Sequence, residues 1–559
     1  MRKKLVSSLT AGFLVLASIT GVSAQNSTKK ADTASTPQKT QIIADQNKNK
    51  LFDNLEEMLV SVKEGDKLPV IVMFDQEFND HGYRDLENRI GSFTTKFKYD
   101  AAFHGFAAEL TKGQINALQK MPFVKQVEYD MPLEITMNTA NTWFGSEKAR
   151  TDFGVDGDRD GNPTSYSKND VVVAIIDTGI DGSHVDLDGG KIIGWKDFVN
   201  SRTTPYDDNG HGTHVGGIVA GTGEGNTAYT GVAPGAALVG IKVLNKQGSG
   251  SMSTVDAGIN WAIQNKDTYG IKVINLSLGT SGSSDGTDST STAVNNAYAN
   301  GILPVVAAGN SGPARYTIGS PGAAKDALTV GAFADVGEMG FNVTDFSSRG
   351  PTQDNRIKPD IMAPGYNITA PKTNSTNQYI TYSGTSMATP FTAGVAALML
   401  DADYTLSPAG LKTKITGTAQ DWGPAGQDID YGYGRLQAYE AIKSAGSYTG
   451  TGPDVPSHTF TSGALASSGA SKTYSLNVTS TAYPVATTLI IKNWTSGFFG
   501  GSPDFDLYVY NPSGTLVGQA EGTNRQELVT FKPTVTGTYT IKVYSYSGSG
   551  DYLLDMSSK

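Results

Sequence analysis

The chain runs to 559 residues, more than one hydrophobic core ordinarily organises, so a division into about two or three domains is expected. Acidic side chains outnumber basic ones 54 to 44, a formal net charge of −10 that disfavours nucleic acid and anionic membrane as partners. Cysteine is absent, which excludes a disulfide framework and any thiolate metal site.

Residues 1–24 read as a secretory signal. Arg2, Lys3 and Lys4 form a charged start, Leu9 to Val22 is largely apolar, and Val22-Ser23-Ala24 offers a small-residue cleavage site. The apolar run falls short of the roughly 20 residues that span a bilayer, and no later stretch reaches that length. A secreted, extracellular protein without a membrane anchor is therefore expected. Gln25 to Lys50 is polar and aperiodic, a flexible lead-in. Residues 51–132 read as a small α/β domain: LPVIVMF as a strand, Asp85 to Phe97 as a helix, His104 to Leu110 as a strand, KGQINALQK as a helix and FVKQVEY as a closing strand.

Residues 138–445 alternate strands and helices. VVVAII, a helix opening at His211, ALVGIKVL, a helix from Thr254 to Asn265, VINLSLG, a helix from Ser291, ILPVVAAGN and a helix after Ser386 follow in order. That rhythm predicts an α/β fold, a parallel sheet with helices on both faces. Residues 446–457, GSYTGTGPDVPS, form a Gly-, Pro- and Ser-rich linker. In residues 458–559 the short alternating runs KTYSLNV, TTLIIKN, DFDLYVYN, ELVTFKP and TYTIKVYS predict an antiparallel all-β sandwich.

Three islands in the middle section carry chemistry. Asp177 closes the apolar run VVVAIID, His211 lies in NGHGTHVGG, and Ser386 lies in SGTSMATPFTAG. A serine hydroxyl is a poor nucleophile at neutral pH; it needs an imidazole to accept its proton and a buried carboxylate to orient that imidazole. Asp177, His211 and Ser386 suit these roles, each at a strand's carboxyl end or a helix's amino end. Ser386 opens a helix, whose free N–H groups favour developing negative charge, so its own N–H is a candidate oxyanion donor. A helical i, i+3 pair of His211 and His214 could also ligate a metal, but no third ligand or HExxH glutamate accompanies it.

With its Asp, His, Ser order and extended motifs, the chain from about Asn138 to Ala445 resembles the subtilisin-like serine proteases, the subtilase family. The resemblance implies that Asn310, in VVAAGNSGP, is a second oxyanion donor beside Ser386, and that His214 is a packed helix residue. It implies that Gly248, Ser249 and Gly250 on one side and Ser277, Leu278 and Gly279 on the other clamp an extended peptide. Ala308, Gly309, Gly319 and Gly279 would leave an open apolar pocket for large uncharged side chains, and Ser320-Pro321 matches a cis position. Residues 25–137 then resemble the propeptide that inhibits the enzyme and assists its folding, with Met137–Asn138 as the expected cut; an independent N-terminal domain is the other reading. The tail resembles a C-terminal prepeptidase-type domain.

The implied activity is that of a secreted, monomeric serine endopeptidase that processes itself and acts on polypeptide substrates. A binding protein on a decayed protease scaffold and an esterase on the same triad are the competing classes. Calcium is the expected cofactor. Asp156, Asp158 and Asp160 before Gly161 place oxygen donors at alternating positions, as in the first half of a calcium loop, against the alternative of a solvated acidic loop. Ser167 at the twelfth position and the lack of flanking helices exclude a full EF-hand. Asp504 and Asp506 share one face of a C-terminal strand and form a second calcium candidate. The family's asparagine-rich calcium loop after the histidine helix is not recognisable in GTGEGNTAYTG.

Overall fold

The computed structural model describes residues 48–63, 65–76, 80–99, 104–129, 138–163, 165–495 and 502–559. The expected signal segment, the lead-in up to residue 47 and Met137 of the expected cut lie outside the described residues. Two compact units are present, one within Ser23–Glu134 and one spanning Ile135–Lys559.

In the first unit, Lys67–Phe74 alternates so that Leu68, Val70, Val72 and Phe74 turn inward. It lies between Gly105–Thr111 and Val124–Tyr129 in an antiparallel four-stranded sheet, and Leu86, Ile115 and Leu118 pack against it. Thr111 starts helix Lys112–Gln119 with a capping box to Gln114. The expected helix from Asp85 to Phe97 is displaced. It runs Asp80–Ile90 and stops at Gly91, whose φ of 88° suits a left-handed helix terminus; Thr95–Tyr99 is an edge strand instead. Helix Asp53–Ser61 was not anticipated.

The second unit is built on a mostly parallel sheet in the order Asn342–Val343, Leu328–Ala334, Leu303–Ala307, Ile271–Leu276, Val172–Asp177, Ala237–Lys242 and Ile192–Asp197, with Ile361–Pro364 beside Leu328–Ala334. Both faces are covered. Val171, Val173 and Ile175 join one core with helices His211–Ala220 and Thr385–Ala402. Val172, Ala174 and Ile176 join the other with helices Met252–Tyr269 and Ser289–Ala299. An apolar run with no polar alternation is what two buried faces require. The chain leaves Val172–Asp177 toward one edge of the sheet and later returns to build the other edge from Ile271–Leu276. The crevice at the carboxyl ends of these two strands is the switch point where such sheets place their sites.

Two antiparallel four-stranded sheets form the C-terminal sandwich, and alternating side chains such as Leu489, Leu507, Ile541 and Leu554 fill its interior. The segment read as a linker is pinned to its neighbours. Tyr448 stacks on Phe153 at 4.6 Å between ring centroids, and Val455 packs against the core of the catalytic sheet. Ile490 and Leu553 of the sandwich belong to that same core.

Candidate active site

Asp177 is fully buried at the end of its strand, where a carboxylate requires partners. Its Oδ1 accepts from the Thr178 N–H at 2.7 Å and lies 2.8 Å from Nδ1 of His211. Thr178 turns the chain toward the histidine helix, its hydroxyl accepting the Gly212 N–H at 2.8 Å. The approach is close enough that a Cβ on Gly212 would sit 2.1 Å from the Gly179 carbonyl oxygen. His211 is the first residue of its helix, and Asp207 gathers the amides around it: Oδ1 accepts from Asn209 and Gly210, Oδ2 from the N–H and hydroxyl of Thr213. Burial pushes the His211 imidazole down, but the Asp177 carboxylate outweighs it and leaves the pKa above the ordinary value.

Ser386 is the second residue of helix Thr385–Ala402. Pro390, four residues on, has no N–H to return to the Ser386 carbonyl, and the Ser277 hydroxyl takes that acceptor at 2.9 Å. In exchange the Ser386 hydroxyl donates to the Ser277 carbonyl at 3.1 Å, and no hydrogen bond joins the described side chains of Ser386 and His211. Asn275 Nδ2 holds the Ser277 hydroxyl at 2.9 Å. The nucleophile and the end of strand Ile271–Leu276 are thus locked to each other.

Asn310 is oriented by Thr385, whose N–H and hydroxyl both donate to Oδ1, at 2.9 and 3.0 Å. This leaves Nδ2 outward. Nδ2 and the Ser386 backbone nitrogen lie 3.4 and 3.6 Å from one point, the place a Cβ on Gly384 would occupy. Two donors near a common point, one at a helix N-terminus, can receive an oxyanion.

The Gly248–Gly250 loop is shaped by Asn245, whose side chain accepts from Gln247 and Ser249, and is tied to the histidine loop by Asn209 Nδ2 on the Lys246 carbonyl at 3.1 Å. Beneath it the buried ammonium of Lys242 meets the carbonyls of Thr178 and Leu244 and the carboxylate of Asp208. Across the crevice, Ser277 to Gly279 continue past their strand, and Thr280 binds back to Ser320. Ala308, Ile318 and Ala323 form a small apolar cluster. A Cβ on Gly319 would lie 2.3 Å from the Thr280 carbonyl oxygen, so that wall has no room for a side chain. The Ser320–Pro321 peptide is cis.

His214 and His184 are structural. His214 is buried, with Nε2 3.0 Å from the carbonyls of Ile368 and Ile380, and burial drives its pKa to about 3. His184 is buried with Nε2 2.9 Å from the Gln378 carbonyl.

Among the described residues, the carboxylates close enough to share a cation are Asp158, Asp160 and Asp170, with oxygens within 4.8 Å of one another. Asp156 lies outside this cluster: its Oδ1 accepts the Asp158 N–H, and Asp170, which accepts the Arg159 N–H, joins Asp158 and Asp160. Asp504 and Asp506 form no such cluster among the described residues, and burial raises both.

Fold and site together define a serine protease. Known proteins of similar sequence agree. "Serine protease AprX" of Bacillus subtilis is 35% identical over 67% of this chain and 88% of its own length; "Subtilisin DY" of Bacillus licheniformis is 40% identical over 50% and 93%. "Thermostable alkaline protease" of Halalkalibacterium halodurans is 36% identical over 60% and 82%. The chain belongs to the subtilase family, whose profile matches residues 168–434. Profiles described as "Peptidase inhibitor I9" and "Bacterial pre-peptidase C-terminal domain" match residues 72–136 and 470–545. Among solved structures, "Sphericase" aligns with a TM-score of 0.44 and 32% identity over 53% of this chain and 98% of that one.

Thr385, Asp207, Lys242 and Asp170 escaped the sequence reading. Asp207 lies three residues before the N-cap position, Gly210, so no capping pattern in the sequence exposed it. The other three depend on tertiary contacts.

Proposed function

We propose that this subtilase is a secreted endopeptidase that cleaves peptide bonds through an acyl-enzyme on Ser386. The observation that carries the reading is the 2.8 Å pairing of Asp177 with His211 at the switch point, beside a serine that opens a helix. Ser386 Oγ, turned from Ser277 toward His211, attacks the substrate carbonyl carbon while His211 Nε2 takes its proton. The carbonyl oxygen, now negative, receives the N–H of Ser386 and Nδ2 of Asn310. Collapse breaks the C–N bond and His211 protonates the leaving amine. Water, deprotonated by the same imidazole, then releases the acid and restores the serine.

The extended substrate pairs with the backbone of 248–250 and 277–279. The pocket of Ala308, Gly309 and Gly319 selects a large uncharged side chain before the scissile bond. The first substrate is the chain's own I9 segment, cut near Met137–Asn138. One chain supplies every residue of the site, so a monomer suffices.

A fluorophosphonate probe should label Ser386, and a Ser386→Ala chain should remain unlabelled, full length and inert toward peptides. Labelling at another residue, or processing by Ser386→Ala in isolation, contradicts the reading.

Asp158, Asp160 and Asp170 also fit calcium: an all-oxygen donor set of like charges, with burial and then Asp160 raising Asp170. Calcium titration of the Ser386→Ala chain should show a site that Asp160→Asn weakens; equal binding by both would remove this assignment.

A further inference from the structure

The C-terminal sandwich reaches the oxyanion loop. Arg525 stands just before strand Gln526–Phe531 and is 1% exposed, sealed between the sandwich and the catalytic sheet. Its guanidinium grips Asp430 in a fork, Nη1 to Oδ1 at 2.5 Å and Nη2 to Oδ2 at 3.0 Å. Nη1 also donates to the Pro313 carbonyl at 3.0 Å. Pro313 is three residues past Asn310.

The other side of that loop rests on residues 344–350. Ser311 N–H donates to Ser348 Oγ, Gly312 N–H to the Phe346 carbonyl, Thr317 N–H to the Arg349 carbonyl, and Ser348 N–H to the Gly309 carbonyl. This second loop is fixed by Arg349, which donates to the carbonyls of Ser347 and Thr344, to Asp430 at 3.2 Å and to Gln526 of the sandwich at 2.6 Å. Both supports of the Asn310 loop therefore pass through two adjacent sandwich residues. Burial works against the Asp430 carboxylate, yet Arg525 and Arg349 hold its pKa below the ordinary range.

A desolvated ion pair is weak evidence for stability, because well-packed apolar side chains often serve as well. A guanidinium adds direction: a rigid planar fork fixes several oxygens at once. Here it fixes Asp430 and the backbone beside Asn310.

We propose that Arg525 is a positioning residue for hydrolysis, by which the C-terminal domain holds the loop 309–319 and so aims the Asn310 amide and sets the Gly309–Gly319 wall of the pocket. The proposal rests on the reading of Asn310 as an oxyanion donor.

The test uses the full chain after self-processing, with active sites counted by fluorophosphonate. Turnover and KM are measured on two peptide anilides that differ only in Phe or Ala before the scissile bond, for the parent, Arg525→Met, Arg525→Lys, Asn310→Ala and Asp555→Asn. Asp555→Asn loosens the same seam elsewhere, at His458 and Tyr431. Arg525→Met should lower kcat about tenfold or more and compress the Phe/Ala ratio, with Arg525→Lys intermediate. Asp555→Asn should speed thermal inactivation while leaving kcat and the ratio alone.

If Arg525→Met does not fold, the Arg525→Lys effect on kcat should vanish in an Asn310→Ala background; a full additive effect there overturns the proposal. Arg525→Met with kcat and ratio within about twofold of the parent, beside an impaired Asn310→Ala, overturns it alone. An Asn310→Ala chain with parental kcat overturns the oxyanion reading and the proposal with it.

Discussion

His211 is pulled two ways: burial favours its neutral form, while the carboxylate of Asp177 favours its charged form and prevails. A general base must be neutral to act, so kcat/KM should rise with pH through a midpoint above the ordinary 6.5. A pH-rate profile on titrated enzyme checks this, and an acid limb centred at or below that value contradicts it. Stability has the opposite sign. A histidine whose folded pKa is raised lends stability in full below its unfolded value and loses it as pH climbs through the folded one. The pair therefore binds the fold most firmly where catalysis is slowest. Three residues on, His214 is held at about 3 and stays neutral throughout. Asp177, His211 and Ser386 were legible because each stands in a local motif. Thr385 was not, since its service to Asn310 joins positions 75 residues apart.

Helix His211–Ala220 owes its start to Asp207, which satisfies three backbone amides and one hydroxyl that would otherwise lack partners. Asp207→Ala should cost about 1–2 kcal/mol, the usual loss for a capping side chain, and lower kcat/KM as the imidazole loses its fixed entry angle. Inactivation rates and peptide hydrolysis measured on one preparation would show it; unchanged values in both would contradict the role. The buried parallel strands were readable as unbroken apolar runs, as in VVVAIID. Edges were harder. Thr95–Tyr99 has one polar face and adjoins Gly91, so its apolar positions were absorbed into a helix that ends earlier.

Across the whole chain, a small α/β segment, a strand–helix alternation and a run of short alternating strands could be read from composition and periodicity, but the union of the last two could not. No local pattern announces that Ile490 and Leu553 complete the core that begins at Ala140, or that Arg525 answers Asp430. Deleting residues 457–559 should therefore speed thermal inactivation, since each buried aliphatic side chain contributes about 1.5–3 kcal/mol and Asp430 would keep Arg349 alone. Equal half-lives for the shortened and full chains would show the β-domain to be a passenger.

An endopeptidase lives among copies of itself, and each copy threatens any slack, extended stretch its neighbours present. The segment joining protease to β-domain, rich in glycine and serine, looks like such bait. With Tyr448 laid on Phe153, Lys443 holding the Gly450 carbonyl and Val455 sunk into the core, it cannot straighten into a foreign cleft without first being peeled away. Anchored in this way, the segment should resist cleavage by other copies of the enzyme.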